Sequence, residues 1–61
     1  MQFELKKAQG IQPWYWLIRA ANGQVLATSE TYYNRQDAIN AADSVRKRAA
    51  DAPIYDMTKA A

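Results

Sequence analysis

Six carboxylates, Glu4, Glu30, Asp37, Asp43, Asp51 and Asp56, are the side chains of this chain best suited to acid–base work; histidine and cysteine do not occur. A carboxylate pair can serve as general acid and base only when the two groups sit together in unlike environments. The spacing of these six supplies no such pair and no metal-binding loop. Nucleophilic triads of the usual kinds need a base that is missing. Without His or Cys, ordinary zinc sites and disulfides are excluded. Gly10 and Gly23 are the only glycines, so no glycine-rich loop can cradle a phosphate. The expectation is a protein that is not an enzyme, with no metal and no cofactor. Glu30 is placed to pair with Arg19 or Arg35, as a surface ion pair of little energetic weight.

Binding chemistry has more to draw on. Lys6, Lys7, Arg46 and Lys47 form a candidate basic patch for nucleic acid, with Trp14 as a base-stacking partner. Against it, Arg46, Lys47 and Arg48 are adjacent and fan around a helix, Asp43 and Asp51 bracket them, and the net charge is only +2. Cations at a helix C-terminus are also favoured by the dipole alone. Tyr15, Leu17 and Leu26 form a candidate interaction surface for a protein partner, because tyrosine joins large area to a polar tip.

The elements that hold these residues can be read from periodicity. Residues 2–8 alternate in polarity and predict a strand with Phe3 and Leu5 on one face. Asn22-Gly23 predicts a two-residue type I′ turn between strands over 14–21 and 24–29. That register opposes Arg19 to Leu26, Ile18 to Ala27 and Leu17 to Thr28. One face then carries Trp14, Trp16, Ile18, Val25 and Ala27, and is the core face. The other carries Tyr15, Leu17, Arg19, Leu26 and Thr28, more apolar than a solvated face needs. Residues 35–50 predict a helix capped by Asn34, with an alanine-rich stripe of Ala38, Ala41, Ala42, Val45 and Ala49. Asp43 and Lys47 are spaced as an i,i+4 pair. Tyr32 is expected to pack under the helix start, and Tyr33 to point outward. Residues 54–57, after Pro53, predict a fourth strand, and 58–61 a frayed tail.

The predicted fold class is α+β: a three- to four-stranded antiparallel sheet in the order β-β-β-α-β, covered by one helix, in a single domain over 2–57. Its interior is small. The chain has 61 residues, and 12 of its hydrophobic ones are alanine. Domains this short usually need a staple, and oligomerisation is the one left. A homodimer is therefore expected, through sheet surface or exchange of the last strand. No stretch has the length or apolar character of a membrane span or signal peptide, and a cytoplasmic protein is expected.

Phe3-Glu4-Leu5, Trp16-Leu17-Ile18-Arg19-Ala20-Ala21-Asn22-Gly23, Ser29-Glu30-Thr31-Tyr32 and Ser44-Val45-Arg46-Lys47 resemble the YegP-like family over residues 2–56. The resemblance implies a β-β-β-α-β unit, found singly or in tandem, so that a single copy would pair with a second. It implies no catalytic or ligand-binding residue. Three departures stand out. Tyr15 and Leu17 replace charged or polar residues, Thr31 stands where glycine is common, and Ala41-Ala42 stand where a glycine and a larger aliphatic are common. The function expected is a non-enzymatic, homodimeric protein–protein interaction module; the alternative is a nucleic-acid-binding accessory protein. A small-molecule site between protomers is a third possibility.

Overall fold

The computed structural model describes residues 1–58. Three strands, β1 (Gln2–Lys7), β2 (Trp14–Arg19) and β3 (Val25–Thr28), precede one helix, α1 (Arg35–Arg48). They form one antiparallel sheet in the order β1-β2-β3, and α1 lies across its β1–β2 half. A single 3-10 turn, Ala49–Asp51, ends the helix.

Phe3 and Ile18 oppose each other across β1 and β2, as do Leu5 and Trp16. Opposed residues share a face, and these four line the space beneath α1. The core face is the predicted one for Trp16 and Ile18, but Val25, expected there, stands opposite Arg19 on the other face and is exposed. Phe3 and Trp16 meet with ring centroids 5.5 Å apart and planes tilted by 51°. From the helix, Ala38 is fully buried. Its lone methyl lets α1 come close to the sheet, at the cost of apolar area.

The hairpin differs from its expected form. Gly23 N–H donates to Ala20 O (2.9 Å), and Ala20 N–H donates to Gln24 O (2.8 Å), which makes Ala21-Asn22-Gly23 a three-residue loop. Gly23 has φ +90°, whereas Asn22 keeps a negative φ, so the turn is not type I′. Asn22 Oδ1 instead accepts from Gln24 N–H (3.0 Å). The extra loop residue shifts the register to Arg19 opposite Val25, and a bulge at Leu26 restores Ile18 opposite Ala27 and Leu17 opposite Thr28. A three-residue loop with a left-handed glycine followed by a bulge keeps the strand twist as well as the shorter turn does.

Two other expectations change. Asn34 starts the helix with extended geometry, but its side chain does not cap. Its Nδ2 donates to Asp37 Oδ2 (3.1 Å), and a side-chain donor satisfies no free backbone N–H. The fourth strand expected over 54–57 is not formed: these residues are exposed and belong to no sheet. Of the tail expected over 58–61, residues 59–61 lie outside the described residues.

The resulting shape is extended, 40 × 29 × 21 Å, with a radius of gyration of 13.6 Å. A compact chain of this length would have about 10.5 Å.

Gly23→Ala tests the loop. A Cβ there meets nothing within 4 Å, so the cost is backbone strain alone. The variant should lose about 1–2 kcal/mol in urea unfolding, with an unchanged denaturant slope.

Candidate functional site

The β1–β2 half of the sheet is covered by α1; the β3 half is not. All four residues of β3 are exposed, and none carries a charge. An edge strand offers a row of unpaired backbone N–H and C=O groups, and charge is a common means of blocking it. Among the described residues, no strand pairs with the outer edge of β3. The other half of the site is the C-terminal arm. Ile54, Tyr55 and Met57 are 98%, 76% and 87% exposed. Three large apolar side chains on one solvated segment are unusual for a monomer. Within the arm, Asp56 Oδ1 accepts from the Thr58 hydroxyl and backbone N–H, which lowers the Asp56 pKa.

The face of the sheet turned away from the helix is organised by charge. Glu4 Oε2 accepts from Arg19 Nε (2.9 Å) and Gln2 Nε2 (2.6 Å), and Oε1 from Arg19 Nη2 (3.3 Å). Lys6 Nζ is 3.4 Å from Oε1. Arg19 Nη1 donates to Gly23 O (2.9 Å), so one guanidinium ties β1 to the hairpin loop. The partner of Arg19 is Glu4, not Glu30. The Arg19 bonds, then those of Gln2 and Lys6, lower the Glu4 pKa from 4.5 to about 2. A carboxylate so stabilised stays ionised and makes a poor proton donor.

The candidate interaction residues lie on or near this face. Tyr15 is half-buried, and Leu17 is 8% exposed. Leu17 occupies the centre of the sheet, with Glu4 and Thr28 opposite it. The Glu4–Arg19 pair crosses diagonally past it, and the arginine stem shields apolar surface. Leu26, the extra residue of the bulge, is exposed. Leu17 thus belongs to the interior, and the accessible apolar surface is Leu26, the β3 edge and the arm.

The four basic candidates are not brought together. Lys6 and Lys7 point to opposite faces. Lys6 joins Glu4, and Lys7 Nζ sits 5.0 Å from the ring centroid of half-buried Trp14. Arg46 and Lys47 share Asp43, with Lys47 Nζ at 2.8 Å, and this lowers the Asp43 pKa. Tyr32 is half-buried and exchanges two backbone hydrogen bonds with Trp14, while Tyr33 is exposed. Among the described residues, no three His, Cys, Asp or Glu side chains are grouped to hold a metal. No helix among them is long and apolar enough to cross a membrane.

A family model described as a domain of unknown function, DUF1508, matches residues 12–56. The chain belongs to this family, the YegP-like domains. They are small uncharacterised proteins, and the matched region runs from β2 into the arm. No curated protein matches the chain. The YegP-like assignment therefore gives a domain type and leaves the activity to be argued from the site. Composition did not expose the β3 edge; the signal was there in Val25-Leu26-Ala27-Thr28, a strand without a charge.

Glu4 supplies a pH test. Its folded pKa lies below its usual value, so its contribution is full above pH 4.5 and is lost as pH falls toward about 2. Glu4→Gln should flatten that part of the acid unfolding curve followed by circular dichroism, while wild type loses stability through the same window.

Proposed function

We propose that this YegP-like chain is a non-enzymatic interaction module that works as a homodimer, each copy placing its arm on the β3 edge of the other. The observation that carries this reading is the arm itself, with Ile54, Tyr55 and Met57 exposed and unpaired. Pro53 can open a strand, because the first position need not donate. Ile54 and Tyr55 are good strand formers. Backbone hydrogen bonds from the edge would supply affinity, as in other strand-addition complexes.

The surface area supports the same conclusion. The chain exposes 5143 Å², whereas a compact 6.9 kDa monomer would expose about 4000 Å². The excess is on the order of what one partner contributes to a standard interface, about 800 Å². A paired chain would bury it. The dimer would then present Tyr15 and Leu26 on its outer sheet face to a further protein.

Sedimentation velocity at micromolar concentration checks the reading, with twice the 6.9 kDa chain mass expected. The double variant Ile54→Asp, Tyr55→Asp should sediment as a folded monomer. A wild-type particle of single-chain mass at high micromolar concentration removes the homodimer. A dimer that survives the double substitution removes the arm exchange and points to packing through the sheet face.

A further inference from the structure

A cleft runs along the seam between β1 and α1. At one end Leu5, Trp16 and Ile39 help enclose about 200 Å³. At the other, Ile18, Val45 and Ala49 help enclose about 540 Å³. Phe3 and Arg46 line both hollows, which lie side by side along the seam. The cause is the alanine face of the helix: Ala42 and Ala49 stand where longer side chains would fill the seam. Small-molecule sites are clefts of this size, mainly apolar with few polar groups.

The polar groups at the cleft are specific. Asp43 is shared by Arg46 and Lys47, which leaves one positive charge over. Trp16, at 8% exposure, has a buried indole N–H with no acceptor among the described residues. Buried donors are normally paired, and an unpaired one calls for an explanation.

We propose that this cleft binds a medium-chain alkyl monocarboxylate. The hydrocarbon lies against Phe3, Ile18 and Val45, and the carboxylate meets the Arg46 guanidinium, whose fork suits a planar carboxylate. A monoanion balances the single excess charge. The site does not compete with arm exchange, because β3 lies at the edge of the sheet opposite β1.

Decanoate, kept below its micelle concentration, is the probe, added to the full chain. Calorimetry should show saturable binding of one molecule per chain, and NMR should show a shift of the Trp16 indole proton. Decanol should bind about tenfold more weakly or worse, the worth of one hydrogen bond to a charged group. Ala49→Leu should abolish binding by filling the larger hollow. Because that variant also changes the packing of the helix end, Arg46→Gln is the second test. It should weaken decanoate about tenfold and leave decanol unchanged. The proposal is overturned by an absence of saturable heat. It is equally overturned if shifts cluster on β3 and the arm, or if Arg46→Gln binds decanoate as tightly as wild type.

Discussion

The physical constraint beneath every feature of this protein is the shortage of apolar side chains able to meet across the sheet–helix seam. Trp16, Leu17 and Ala38 are the only hydrophobic residues buried among those described, and no large side chain is fully enclosed. Burial of a leucine-sized group contributes about 1.5–3 kcal/mol, and a methyl far less. A helix with Ala38 and Ala42 on its inner side, followed by Ala49 of the 3-10 turn, can come close to the sheet but cannot cover all of it. It therefore covers β1 and β2 and leaves β3 bare.

Where packing is thin, polar structure takes over part of the task. Glu4, Arg19 and the carbonyl of Gly23 link the first strand, the central strand and the hairpin loop on the face without a helix. Arg19 suits this role because its planar fork reaches two acceptor sites at once. The same ion pair shields Leu17, so a residue that reads as surface joins the interior. At the opposite edge of β2, the Ser29 hydroxyl accepts from Trp16 N–H (2.9 Å), and Ser29 N–H donates to Trp16 O (2.8 Å). These bonds hold the far end of the β2–β3 pairing in register, beyond the bulge and the irregular loop.

The unfinished half of the fold and its functional reading are one matter. A charge-free edge, a solvated apolar arm and surface in excess of a compact monomer each leave free energy unclaimed by the single chain. The proposed association would claim it. The cleft on the other side of α1 arises from the same alanines, so one choice of small residues opens both the edge and the seam.

Much of this was legible in the residues. Alternation in 2–8, the paired β-rich runs around Asn22-Gly23 and the alanine stripe fixed the strands, the helix and the face that carries Phe3, Trp16 and Ile18, because side-chain periods of two and 3.6 are properties of the local backbone. Asp43 and Lys47 met as their spacing required. The loop type, the bulge at Leu26 and the choice of Glu4 over Glu30 as partner of Arg19 were not legible, since each depends on which strand lies alongside. The burial of Leu17 and the exposure of the arm also came only from the tertiary structure. A hydrophobic residue states what it would gain from burial; whether anything is close enough to bury it is decided by what the tertiary fold brings alongside, the alanine-lined helix on one face of the sheet and polar neighbours on the other.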